Sequence, residues 1–203
     1  MKRYLDQLNP KTIIYEVYPI TFSIDGVESS LDIIANDTID DETIKMVFQE
    51  NNLKAYNTLV YGLMCQTLHL NDDYIEEKTK WGDTYIPGGF VSRKIGYYKH
   101  EKYPKQHWDF NEEQFQSFEE ILEMIRKRNI KLILVNAPIS PSLYASYDNN
   151  ATFDSLMNTY GEYHNYNEIM HLDDSLYFFD SNHLNQEGVK KFDDQLIHDL
   201  FEE

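Results

Sequence analysis

With one cysteine in 203 residues, the chain can form no internal disulfide. Cys65 stands in the apolar stretch "YGLMCQTL" with no basic neighbour to activate it, so it reads as a buried, inert thiol and not as a nucleophile. Positive charge is scarce as well. Eighteen Lys and Arg against 35 Asp and Glu leave a formal net charge of -17. Such a surface repels phosphate backbones and argues against a nucleic-acid partner. Anionic membrane surfaces are disfavoured for the same reason, and the charge reads as a solubility feature. No apolar run approaches the ~20 residues that cross a bilayer. "KRYLDQLNPK" after Met1 lacks the apolar region of a signal peptide, so the chain reads as soluble. Repeats, low-complexity tracts and linkers are missing too.

What is present fits one domain with a real core, at 41% hydrophobic residues. Tyr4 to Leu8 looks like the tail of a helix stopped by Pro10. "TIIYEVYPI" (Thr12–Ile20) is a β-branched and aromatic run ending at Pro19, the pattern of a buried strand. Asp40–Leu68 has an acidic start and helical spacing and reads as one or two helices. Residues 70–109 read as irregular, rich in Gly, Tyr and charge, with a turn of positive φ at Gly88–Gly89. Phe115, Phe118, Ile121, Leu122 and Ile125 form the apolar stripe of the clearest helix, capped by Asn111. "KLILVNAP" (Lys131–Pro138) is a second buried strand. A helix followed at once by a continuous apolar strand marks a parallel α/β sheet. Residues 152–162 read as a further helix and "YNEIMHL" (Tyr166–Leu172) as a short strand. Val189, Phe192, Leu196 and Leu200 give the core face of a last helix.

The stretch "FFDSNHLNQEGVKKF" carries the chemistry. Asp180 and His183 lie on the loop into the last helix, and functional groups gather at the carboxyl ends of parallel strands. A carboxylate beside a histidine fixes its tautomer and stabilises the imidazolium, leaving the other ring nitrogen as a base. The competing reading is a capping turn with a solvated histidine. Glu16 inside "IIYEVY" either points into a crevice or marks an exposed strand face. Asn136, after the second strand, could donate to an oxyanion or tie down the loop before Pro138. His69 with Asp72 and Asp73, and His171 with Asp173 and Asp174, read as solvated acidic loops and not as metal sites. Trp81, Trp108, Tyr97 and Tyr98 offer either a sugar-stacking surface or ordinary packing.

The longer string is similar to the last conserved block of the SGNH hydrolases, the GDSL-type esterases. The match rests on Asp180, His183, Leu184, Asn185, Gly188 and Phe192. "LNPKTIIYEVYPITFSIDGVESSLDIIAND" and "DTYIPGGFV" look like segments of an SGNH-like branch of bacterial envelope proteins, so the resemblance covers nearly the whole chain. It implies a three-layer, flavodoxin-like parallel sheet over residues 1–203 as a single domain. It also implies ester hydrolysis or acyl transfer on envelope glycans or small esters, with His183 as base, Asp180 as its orienter, and no metal or organic cofactor.

The resemblance departs at the nucleophile. In the family, the serine precedes the strand similar to "TIIYEVYP", in a Gly-x-Ser block, and no Gly-x-Ser occurs here. The domain is therefore expected to be incomplete at its N-terminus, to have lost catalysis and kept a glycan-binding or scaffold role, or to use Ser23 in "ITFSIDG". A sheet lacking its first strand exposes an edge, so the chain is expected either to form homo-oligomers through that edge or to rearrange its sheet.

Overall fold

The computed structural model describes residues 1, 3–75, 77–80, 82–86, 90–93 and 95–202. Gly88, Gly89 and Trp81 lie outside them. The chain divides into two compact units, residues 1–10 with 24–76, and residues 11–23 with 77–203.

The first unit is helical: α1 (Leu5–Leu8), α2 (Val27–Asn36), α3 (Asp41–Glu50) and α4 (Leu53–Leu68). Ile34, Ile39, Val47, Ala55 and Leu59 form its core, and Cys65 is buried and free. The expected helical stretch over Asp40–Leu68 breaks in two at Asn51, which takes a left-handed φ of 48°, and Asn52, whose side chain caps α4. Asn9 after α1 and Asn129 after the long helix of the second unit are left-handed in the same way, at φ 41° and 53°. Asn tolerates this region better than other residues with a Cβ.

Asp40 caps α3, accepting from the Glu42 and Thr43 amides, and also binds Arg3 through Nη2 at 2.7 Å. The guanidinium, foremost, and then the Thr43 amide hold this carboxyl well below the usual range. A depressed carboxylate contributes stability above its unfolded value, near 4, and loses it as pH falls through the folded one. Asp40→Asn keeps a capping residue and removes the charge. The variant is expected to melt below wild type at pH 7, with the gap narrowing below about pH 4. Parallel melts across that range check it, and a pH-independent gap would contradict it.

The second unit is α/β. Its sheet runs β1 (Thr12–Glu16), β5 (Lys131–Asn136), β6 (Glu162–Asn165) in spatial order, all parallel. Between β1 and β5 in sequence lies an antiparallel sheet, β2 (Thr79–Lys80), β3 (Asp83–Ile86) and β4 (Phe90–Arg93). It corrects the expectation of irregular chain over 70–109. Gly82, at φ 92°, supplies the turn, and Arg93 binds Asp83 across the strands through two 2.6 Å bonds. α5 (Glu112–Lys127) follows, capped by Asn111. Then come α6 (Pro141–Tyr144), α7 (Asn150–Tyr160), α8 (Tyr166–Ile169), α9 (Asp174–Tyr177) and α10 (Gln186–Phe201). The strand expected at Tyr166–Leu172 lies earlier, at Glu162–Asn165. Asn165 accepts from the Asn167 amide and turns the chain into α8 instead.

Side-chain alternation assigns the two faces of the parallel sheet. Val17 and Leu134 pack with Phe118 and Leu122 of α5 and Phe153 and Met157 of α7. Ile133 and Val135 pack on the opposite face with Tyr166 and with Phe192, Leu196 and Leu200 of α10. Central β5 is buried from Ile133 to Asn136, whereas Ile14 of β1 is 40% exposed. Among the described residues β1 pairs only with β5, so its other edge is open. The first strand run ends at Glu16, short of Pro19, because Pro19 opens a 3-10 turn through Phe22.

Candidate active site

The Asp180–His183 turn is built by short-range bonding. Asp180 Oδ1 accepts from the amides of Asn182 (2.8 Å) and His183 (2.9 Å), an arrangement Asp forms readily in tight turns. The Phe179 amide donates to the His183 carbonyl at 2.8 Å, and Phe178 bridges to Leu184, closing the loop. Asn185 then starts α10, its Oδ1 accepting from the Glu187 and Gly188 amides. Its Nδ2 donates to the carbonyls of Leu176 (2.8 Å) and Gly96 (3.1 Å). Adjacent Gly188 is required by packing, since a Cβ there would stand 2.1 Å from the Tyr177 carbonyl oxygen.

Two long-range bonds set this turn at the carboxyl ends of the parallel strands. Tyr18, two residues beyond β1, donates from its hydroxyl to Asn182 Oδ1 at 2.7 Å. The Ser140 amide, on the loop after β5, donates to the Ser181 carbonyl at 2.9 Å. His183 Nδ1 stands 2.9 Å from both oxygens of Asp180. With the proton on Nδ1, that contact leaves Nε2 with its lone pair outward, and His183 is largely exposed.

Glu16 ends β1, opposite Val135, close enough that its charge and that of His183 interact. The surrounding protein raises the Glu16 carboxyl above its ordinary value, although its tip reaches solvent, and His183 partly opposes the rise. Burial likewise raises the Tyr18 phenol, reinforced by Tyr147, Glu16 and Asp180. The structure thus pairs Asp180 with His183 and places Glu16 at the same strand ends, within electrostatic reach of His183.

The other two candidates lie elsewhere. Asn136 is buried and its Nδ2 approaches the Tyr163 hydroxyl at 3.5 Å. Tyr163 in turn donates to Asp154 at 2.6 Å, and Asn165 donates to both Asp154 oxygens at 3.0 Å. Asn136 therefore belongs to a polar network at the end of β5 and β6. The Ser23 hydroxyl donates to the Pro19 carbonyl at 3.1 Å. Among the described residues, no serine side chain hydrogen-bonds to His183.

A carboxylate partner alone does not distinguish His183. His69, His100, His107, His164 and His198 each face one too. What sets His183 apart is its place at the strand ends, within electrostatic reach of Glu16 and lining a cavity of about 310 Å³. No group of three or more His, Cys, Asp or Glu among the described residues could hold a metal ion. No helix among them is long and apolar enough to cross a membrane. Trp108 is buried, stacked on Tyr147 at 3.5 Å with its indole N–H on Asn150, so it packs the interior and offers no stacking surface to a sugar.

Sequence reasoning passed over Tyr18 and Arg93. Tyr18 carried a signal, a polar tip two residues beyond Glu16 on the same side of an alternating strand. Arg93 carried none without the β3–β4 register. No family model, curated protein or solved structure matches this chain. The structure itself shows an α/β unit bearing a histidine–carboxylate pair at its strand ends.

Proposed function

We propose that Asp180 and His183 are the acid–base half of an ester-hydrolysing or acyl-transferring site of the SGNH type. In this reading the chain has the flavodoxin-like sheet order of that fold, and its substrates are acyl esters of envelope glycans or related small esters. His183 Nε2 takes the proton from the attacking hydroxyl, Asp180 holds the ring and stabilises the imidazolium, and the attacking serine comes from outside this chain. The observation that carries the reading is the 2.9 Å contact of His183 Nδ1 with both Asp180 oxygens, at the strand ends and with no hydrogen bond to Nε2 among the described residues. No step calls for a metal or organic cofactor.

Intact mass after fluorophosphonate treatment tests the source of the nucleophile. No adduct is expected on the folded chain. An adduct that maps to Ser23 and vanishes in His183→Ala would place the nucleophile within the chain and overturn the outside serine. No serine side chain among the described residues hydrogen-bonds to His183, which favours a second reading, a non-catalytic scaffold or glycan-binding protein. That reading prevails if folded protein gives neither an adduct nor His183-dependent ester turnover.

The open edge of β1 supports self-association, because its unpaired amides and carbonyls form a template for another strand. Light scattering is expected to give a mass above that of one chain, falling to that of a monomer in Ile14→Lys. A wild-type monomer at all concentrations would rule this out.

A further inference from the structure

The cavity beside His183 has a composition that selects its ligand. Val91 of β4, Ile95, Phe179, Leu184 and Val189 supply apolar surface. Gly96 closes one side against the Phe179 ring, so tightly that a Cβ there would stand 2.7 Å from a ring carbon. The His183 imidazole also lines the cavity.

Two features at this cavity would normally attract an anion, and each is already partly engaged by the protein's own groups. Among the described lining residues, Arg93 alone carries a fixed positive charge. Its Nε and Nη2 donate to the two carboxylate oxygens of Asp83, each at 2.6 Å. Its guanidinium carbon lies 4.7 Å from the centre of the Phe179 ring, so the planar group serves as a wall. The N-terminus of α10 is the second feature. Asn185 Oδ1 occupies the Glu187 and Gly188 amides that an anion would use. Asn185 is itself fully engaged, which leaves Gln186 as the lining amide side chain with no hydrogen bond among the described residues.

We propose that this cavity receives a short, uncharged acyl chain, with its carbonyl at the mouth between His183 and Gln186. The inference rests on the ester-site reading above and specifies its acyl group as apolar and neutral, excluding dicarboxylic half-esters and phosphoesters. At roughly 30 Å³ per small group, 310 Å³ sets an upper limit of about ten heavy atoms, since the cavity is open to solvent. Allowing for the ester group itself, that corresponds to a chain of roughly six to eight carbons.

Methyl resonances of Val91, Ile95, Leu184 and Val189 report binding directly by two-dimensional carbon–proton NMR. The probes are 2-butanone, 2-hexanone and 2-octanone, which are uncharged and cannot be hydrolysed, and the sodium carboxylates of matching length. Ketones are expected to shift these methyls saturably. Affinity should rise about fourfold per added methylene and then level off as the cavity fills. The carboxylates should bind at least tenfold more weakly. Val91→Phe on the exposed β4 wall and Val189→Phe on the helix wall should each weaken 2-hexanone at least fivefold, with melting temperatures near wild type.

A carboxylate that binds as well as its ketone would overturn the proposal and make this an anion site. Ketones that leave these methyls unmoved on folded protein would overturn it outright. Neither result touches the role of His183, which is read from p-nitrophenyl acetate, whose two-carbon acyl group needs no such cavity. Conversely, ketone binding with turnover that survives His183→Ala would leave the cavity standing and remove the ester-site reading.

Discussion

Gly188→Ala is expected to lower the melting temperature by roughly 6–12 °C, from a cost of about 3 kcal/mol in overpacking. The added Cβ would meet the Tyr177 carbonyl oxygen at 2.1 Å, its carbonyl carbon at 3.1 Å and Leu184 Cδ2 at 3.0 Å. The first two are backbone atoms, so no rotamer change relieves them. Nor can the Tyr177 carbonyl retreat freely, because it accepts the Asn185 amide at 2.9 Å. Either α10 shifts away from α9 or that bond breaks, and both routes disturb the turn carrying Asp180 and His183. Gly161 is the matched control. Its φ of 165° is ordinary extended backbone, and nothing lies within 4 Å of a Cβ placed there. Gly161→Ala is expected to change stability by no more than about 0.5 kcal/mol. Thermal melts of the two variants side by side check the pair, and similar melting temperatures would show that the α9–α10 contact relaxes at little cost.

With no serine of its own in reach, the chain can use His183 only as a general base toward water, so His183→Ala is expected to lower a weak p-nitrophenyl acetate hydrolysis by about 10²-fold, to the uncatalysed background, the low end of what a positioned base contributes. Asp180→Asn should fall between wild type and His183→Ala. An amide oxygen at position 180 can still accept the Asn182 and His183 amides, so the turn survives. What the substitution removes is the negative charge 2.9 Å from Nδ1 that favours the imidazolium. Initial rates for the three proteins, each shown to be folded by circular dichroism, give the answer. Turnover unchanged in His183→Ala would end the assignment of this residue as base. Turnover lost in His183→Ala and untouched in Asp180→Asn would leave the histidine as base and reduce Asp180 to a turn-former.

Much of this was legible in the chain because local chemistry decided it. α5 and α10 announce themselves through apolar spacing and through Asn111 and Asn185 at their starts, and the structure has both caps in place. β5 reads as a buried strand because an apolar run this short has few alternatives, and it is buried from Ile133 to Asn136. The Asp180–His183 turn was readable for the same reason, since its bonds span two and three residues. Illegible were the features set by distant partners. β3 and β4 are held by Asp83 and Arg93, ten residues apart, and neither segment is apolar enough to stand out. The start of α8 was misread as strand because Tyr166, Ile169 and Met170 are as apolar as strand residues, and only the Asn165 cap diverts the chain. The division into two units was unreadable too, since no linker composition marks it. Glu16 could be placed only after Tyr18 and Asn182, 164 residues apart, were seen to join.

The scarcity of glycine has a consequence at the ends of the helices. Asn9, Asn51 and Asn129 hold the left-handed positions where glycine is the usual choice. Each has a Cβ, which restricts the backbone of the denatured chain more than glycine would. Less freedom is then surrendered when these helices stop and turn, at the expense of modest strain in the native backbone. The balance between the two resides as much in the denatured ensemble as in any contact of the folded protein.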